Sequence, residues 1–493
     1  MFVRANLHQR RTLAPYRQLL AASAALMLMF FPHQSQAADG EPCHLAGVSE
    51  RVVCHSIEVP FNHHQPDDQT LKLHAAVFPA RTKTPDRAPL VVLAGGPGQA
   101  ATELAGLIRP AFDDLFAEQD LLLIDMRGTG KSFPLHCAAM FSDDPALSDP
   151  WRFKQAIEAC HAEWNTDTTM FSSAQMVQDL EHVRKHLGYR QLDLFGGSWG
   201  TRLGLLYMQA YPEAVRAAVF GGVAPPNASF FAQESAAANG ALRQVFLDCA
   251  QDVQCGAAYP ELSARFSAWI DNVDWPLAVD YLRQSTGEMT TYQLDRISTV
   301  QMIRSALYTT ETSRKLPYVL DRLIQGDVPP LFALAGTNMS PDAGQMYLGM
   351  TLSVLCEEEV RRISGPEAAR LGETSFAQDS YYQYWLRACE GWASATLDEN
   401  MRQPTTTDVP VLLLSGALDP ITPPALAEVA ARSLPNVQHI VVEQAGHNIA
   451  FYECTSGLIT QFLLQGTGAP LNSDCTADIT RPPFMVGPNG PSI

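Results

Sequence analysis

Positive charge is scarce in these 493 residues: 34 Lys and Arg stand against 52 Asp and Glu, a formal balance of −18. Proteins that bind nucleic acid present basic surfaces, so no nucleic-acid partner is expected. No pair of cysteines has the Cys-x-x-Cys spacing. That removes the usual zinc frameworks, and neither a metal nor an organic cofactor is expected. Internal repeats and low-complexity segments are absent too. The apolar run from Leu19 to Phe31 has 13 residues, short of the ~20 that a spanning helix needs.

No acid occurs before Asp39, while Arg4, Arg10, Arg11 and Arg17 make a basic start. A basic start, a short apolar run and the small-residue end Ser35-Gln36-Ala37 read as a secretory signal over residues 1–37. An N-terminal membrane anchor is the alternative. Arg10-Arg11 is a poor twin-arginine match, and Gly40-Glu41-Pro42 before Cys43 is no lipobox. The expectation is an exported protein, periplasmic or secreted, with no membrane partner once the signal is removed. All ten cysteines follow the signal, and an even count in an exported chain reads as disulfides. Short loops favour the neighbouring pairs Cys43–Cys54, Cys137–Cys160, Cys249–Cys255, Cys356–Cys389 and Cys454–Cys475, although sequence alone does not fix connectivity.

Leu71–Phe78, Leu90–Leu93, Leu121–Ile124, Leu192–Phe195, Val215–Phe220, Val409–Leu414 and Val437–Val442 read as strands, and most are unbroken apolar runs. Strands of that kind, alternating with amphipathic segments such as Gln175–Leu187, indicate a mostly parallel sheet with helices on both faces. The alternation stops between Pro225 and about Pro404, where helical periodicity takes over. The expected organisation is a first core part (38–224), an inserted helical lid (225–404) and a second core part (405–493). The Pro-rich tail after Cys475 reads as a surface strap or a loose end.

One stretch organises the rest. Leu192–Phe195 runs into Gly196-Gly197-Ser198-Trp199-Gly200, and a helix-compatible segment follows. A serine projecting from a sharp strand-to-helix turn needs neighbours with almost no side chain. The N–H of Trp199 would then face a developing oxyanion, and Gly96, in Gly95-Gly96-Pro97-Gly98 after an earlier strand, is the candidate second donor. Asp419 and His447 lie in loops past two later strands, where a parallel sheet presents its site. Gly130-Lys131-Ser132 mimics the end of a phosphate loop, but Asp125 stands where its first glycine must be. Asp125 and Arg127 are expected to pair internally at the site rim.

Together, Gly95–Gly98, Asp125–Ser132, Gly196–Gly200, Asp419 and Gly446-His447 resemble the prolyl aminopeptidase family of α/β-hydrolases. The likeness is closer to its secreted tripeptidyl aminopeptidase branch with a TAP-like C-terminal region. It covers most of residues 45–465 and is weak in the lid. Ala94 departs from it, since smaller members carry His there. The resemblance implies an α/β-hydrolase sheet with a lid, and a serine exopeptidase acting on the free N-terminus of peptides. Ser198 would be the nucleophile, His447 the base and Asp419 its orienting acid. An aminopeptidase also needs carboxylates for the substrate ammonium, and Glu357 and Glu358, beside Cys356 in the lid, are the candidates. An exported carboxylesterase using the same three residues is the rival reading, and a non-catalytic binding protein on this fold a further one. Oligomeric state is not legible.

Overall fold

The computed structural model describes residues 40–82, 84, 87–137, 150–282, 286–337, 346–393 and 398–491. The expected signal segment lies outside them. Eleven strands are present among the described residues: β1 Glu41–Cys43, β2 Val52–Pro60, β3 Thr70–Phe78, β4 Leu90–Leu93, β5 Leu121–Ile124, β6 Leu192–Gly197, β7 Val215–Gly221, β8 Leu277–Leu282, β9 Met289–Leu294, β10 Val411–Gly416 and β11 Val437–Val442. Nine form one sheet in the order β1-β2-β3-β5-β4-β6-β7-β10-β11. Pairing is antiparallel from β1 through β3 to β5, and parallel from β5 to β11.

The helices are α1 Ala105–Ala111, α2 Pro150–Trp164, α3 Ser173–His186, α4 Trp199–Ala210, α5 Phe231–Gln251, α6 Val253–Ala258, α7 Leu262–Asn272 and α8 Arg296–Ala306. They continue with α9 Thr310–Ser313, α10 Leu316–Ile324, α11 Pro329–Thr337, α12 Leu348–Glu358, α13 Gly365–Gly372, α14 Ser380–Ala388, α15 Pro424–Ala431 and α16 Glu453–Gln465.

The central strands are apolar throughout because both faces are covered. Leu122 and Ile124 belong to the apolar cluster on one face, which also takes in Met176, Leu180 and Val183 of α3, Leu203 of α4 and Ala427 of α15. Leu121 and Leu123, one residue out of step, point to the other face and pack with Ile108 of α1 and Phe462 of α16. Between β7 and β10 the chain builds a second core from α5, α7, α8, α10 and α11, which Phe484 of the tail joins. The tail is therefore an ordered strap. The two-stranded sheet β8–β9 also lies in this block, where only helices are expected.

All five neighbouring cysteine pairs are disulfides. Asp125 and Arg127 do not pair. Asp125 accepts from the Thr102 N–H at 3.0 Å, the Thr102 hydroxyl at 2.9 Å and the Lys131 N–H at 3.0 Å. Arg127 grips Asp179 with two hydrogen bonds of 2.6 Å and also donates to the carbonyls of Pro60, Phe61 and Met170. Both side chains are wholly buried, so each needs several partners, and closing on each other would leave most of their polar atoms unmatched.

Candidate active site

After β4 the chain turns to β5 on one side and later to β6 on the other, so the β4/β6 boundary is the switch point where a parallel sheet opens a crevice. Leu93 stands opposite Gly196 there, which sets the loop after β4 beside the turn after β6.

Ser198 caps the start of α4 with φ 54° and ψ −126°, a conformation that side chains rarely take, and its N–H is held by the Gly221 carbonyl at 2.9 Å. The crowding that calls for glycine is measurable at Gly200, where a Cβ would stand 2.0 Å from the Leu93 carbonyl oxygen. Thr201 locks the turn, donating to the Ser198 carbonyl at 2.6 Å and accepting from the Ala224 N–H at 2.8 Å.

Asp419 and His447 meet. The His447 Nδ1 lies 2.7 Å from Asp419 Oδ2. The carboxylate also accepts from the N–H groups of Ile421 and Thr422, at 2.8 and 2.9 Å, and from the Thr422 hydroxyl at 2.8 Å. Burial alone would push the Asp419 carboxyl up, but the charge of His447 and these hydrogen bonds hold it below the ordinary range. The acid thus stays ionised and fixes the imidazole with Nδ1 toward itself. His447 and Ser198 face one cavity of about 620 Å³, bounded also by Gly95, Gly96 and Trp199. No hydrogen bond closes between Ser198 and His447 among the described residues. Such contacts commonly tighten only when substrate is bound.

Gly95, absent from the sequence-level candidates, lies tighter against the serine than its sequence position suggested. A Cβ on it would stand 3.2 Å from the Ser198 Cβ and 3.1 Å from the Gly197 carbonyl. Gly96 is exposed, with φ 108°. The glycine pair was legible as a turn; which of the two abuts Ser198 depends on sheet register.

The cavity has two characters. Leu104, Leu107, Ile108, Ile449 and Phe451 give it apolar lining, while Arg304, Tyr308, Tyr381, Tyr384 and Trp385 of the inserted block add aromatic and polar lining. Arg304 and Tyr308 carry no motif and were missed in the sequence.

Glu357 and Glu358 are not in this cavity. Glu358 accepts from the Ser173 N–H at 3.1 Å and hydroxyl at 2.8 Å, and Glu357 pairs with Arg361 at 2.9 Å. Their neighbour Glu359 is paired with the buried Arg202 of α4 and accepts from the Ser229 hydroxyl. Glu358 and Glu359 hold the end of α12 against the start of α3 and against α4, because buried carboxylates there must be matched. No Asp or Glu lines the cavity among the described residues.

Residues 88–256 match the alpha/beta hydrolase fold and residues 375–475 match TAP-like protein. The serine protease Hip1 of Mycobacterium tuberculosis is 24% identical over 492 residues, covering 90% of this chain and 92% of that protein. A proline iminopeptidase of Neisseria gonorrhoeae is 31% identical over 170 residues, 34% of this chain and 42% of that protein. A crystal structure of proline iminopeptidase from Mycobacterium smegmatis aligns with 83% of this chain and 98% of its own at 17% identity and a TM-score of 0.41.

Proposed function

The chain is a serine peptidase of the α/β-hydrolase fold with a TAP-like C-terminal region, and from that premise we propose that it is an exported aminopeptidase that removes residues from the free N-terminus of peptides. The observation that carries the reading is the 2.7 Å Asp419–His447 contact opening onto the same cavity as Ser198 on its strained turn. His447 takes the proton of Ser198 as the hydroxyl attacks the scissile carbonyl, and Asp419 stabilises the imidazolium that forms. The N–H groups of Trp199 and Gly96 hold the oxyanion. The same imidazolium protonates the leaving amine, and water then releases the acyl group.

Aromatic and aliphatic side chains of the inserted block over the serine favour a chain end over a polypeptide loop as substrate. Five disulfides support export, since such bonds persist in oxidising compartments. The carboxylesterase reading is favoured by one observation, the absence of a carboxylate from the described cavity lining, which suits an uncharged acyl group.

The test is hydrolysis of Pro, Ala and Ala-Ala-Pro anilides beside their N-acetylated forms, with Ser198→Ala as blank. Cleavage of the free amines alone supports the aminopeptidase, and the longest substrate cleaved gives the number of residues released. Turnover of short acyl esters with every anilide inert would replace it with the esterase.

A further inference from the structure

The loop carrying His447 is docked on the inserted block as well as on the sheet. The His447 N–H donates to the Tyr308 carbonyl at 2.8 Å, and the Tyr308 ring meets the imidazole edge-on with centroids 5.1 Å apart. The approach is so close that a Cβ on Gly446 would stand 2.4 Å from the Tyr308 oxygen. Tyr308 is held in turn by Arg304, one helical turn earlier at the end of α8. Its Nη1 donates to the Tyr308 hydroxyl at 3.3 Å, and its guanidinium lies 5.7 Å from the ring centroid.

Arg304 has little freedom. Its Nε donates to Gln301 at 3.1 Å, its guanidinium covers the Tyr381 ring at 4.3 Å, and Glu234 of α5 is its counter-ion at 2.9 Å. Glu234 is 2% exposed, and neither carboxylate oxygen has a properly aligned hydrogen-bond donor. Burial pushes the Glu234 carboxyl up to about 8 while Arg304 pulls it down, so its charge depends on that one cation, and moving the cation away would leave a buried carboxyl with no partner.

We propose that Arg304 is a positioning residue for His447, acting through Tyr308, with Glu234 as the counter-charge that anchors it. The inference rests on the reading of His447 as the base for Ser198. The inserted block is then part of the catalytic apparatus: α5 holds Arg304, Arg304 holds Tyr308, and Tyr308 holds the main chain and ring plane of His447. Arg304 and Tyr308 border the cavity that His447 and Ser198 face, so the support for the base is built into its wall.

The test uses the mature full-length enzyme and a small fluorophosphonate, whose rate of reaction reports activation of Ser198 independently of peptide recognition. Arg304→Met should slow phosphonylation and lower kcat by about ten- to a hundredfold, the cost of a slightly misplaced catalytic group, with KM little changed. Arg304→Lys should restore much of the rate, and Tyr308→Phe, which keeps ring and carbonyl, should lower it in the same direction. The double variant Arg304→Met with Tyr308→Phe should be little worse than Arg304→Met, as expected for residues acting in series. If Arg304→Met fails to fold, Tyr308→Phe and Arg304→Lys carry the comparison. Wild-type phosphonylation rates in both of those, or a raised KM with an unchanged probe rate in Arg304→Met, would make Arg304 a substrate contact and overturn the proposal. Probe labelling that survives Ser198→Ala would instead sink the underlying assignment of the nucleophile.

Discussion

Both carboxylate oxygens of Glu358 are taken by Ser173, one by its N–H and one by its hydroxyl, at the first turn of α3. The acid therefore ties α12 to the core and is not available to a substrate. Burial pushes its carboxyl up, while Arg202 and the two Ser173 donors pull against that. Glu358→Ala leaves Ser173 and the helix start unmatched and should cost about 2–4 kcal/mol. Thermal unfolding should show the loss, while kcat/KM of the remaining folded enzyme on a free-amine anilide stays near wild type. A large rise in KM without destabilisation would return Glu358 to the substrate.

In the proposed mechanism Asp419 acts through His447, which it meets at 2.7 Å, so replacing its charge while keeping its shape isolates that action. Asp419→Asn is expected to lower kcat by about 10⁴-fold, the scale seen when the orienting acid of such a triad is lost. Steady-state hydrolysis checks it, with Ser198→Ala as the floor. Activity within tenfold of wild type would mean that another group orients the imidazole.

The glycines of the elbow are not equivalent. A Cβ at Gly200 would lie 2.0 Å from the Leu93 carbonyl oxygen and 2.7 Å from that of Ala94, both backbone atoms that cannot step aside. At Gly197 a Cβ meets nothing within 4 Å. Gly200→Ala should therefore abolish soluble, folded protein, whereas Gly197→Ala should fold with a stability change within about 1 kcal/mol. Expression yield and melting temperature decide it.

The sequence is legible where the cause is local. Strands β4 and β5 match their expected limits because an apolar run buried on both faces has no other solution. Strand β2, read as Val-Val-Cys-His-Ser-Ile-Glu-Val-Pro, was missed because it mixes polar and apolar residues near the edge of the sheet. The β8–β9 hairpin was hidden among helical patterns. Asp419 and His447 could be found because each follows a readable strand. What could not be read are partners far apart in the chain. Arg127 meets Asp179 52 residues on, and Glu358 meets Ser173 185 residues back. The run Glu357-Glu358-Glu359 looks like a charged patch to any local rule, and only the docking of α12 on α3 and α4 shows that it is interior.

Glu181 gives the pH dependence a sign. Burial would raise its carboxyl, but hydrogen bonds from Arg184, Lys185 and Tyr207 prevail and bring it from 4.5 down to about 2. A carboxylate depressed in the folded state contributes stability above its unfolded pKa and loses it as pH falls through the folded one. The contribution is therefore complete above about 4.5 and fades toward about 2. Between those limits wild type should lose stability more steeply than Glu181→Gln. Urea midpoints across that window test this, and parallel curves for the two proteins would deny Glu181 the role.

The tail after Cys475 ties the two cores together. Cys475 is bonded to Cys454 in α16 of the sheet domain, and a few residues later the chain grips the inserted block. Arg481 pairs with Asp248 at 2.9 Å and donates to the Ser313 hydroxyl at 2.8 Å, while the Met485 N–H donates to the Arg314 carbonyl at 3.2 Å. Phe484, 7% exposed, enters the same apolar cluster as Phe266 and Val300. Removing that ring leaves a cavity in this cluster, at a cost of about 3 kcal/mol. The loss falls on the block that carries Arg304 and Tyr308, so Phe484→Ala should open this region before the sheet. Limited proteolysis should then cut within residues 225–404 at conditions that leave wild type intact, and inactivation should keep pace with the cutting. Cleavage that begins in the sheet domain, or a melting temperature equal to wild type, would show that the strap does not brace the inserted block.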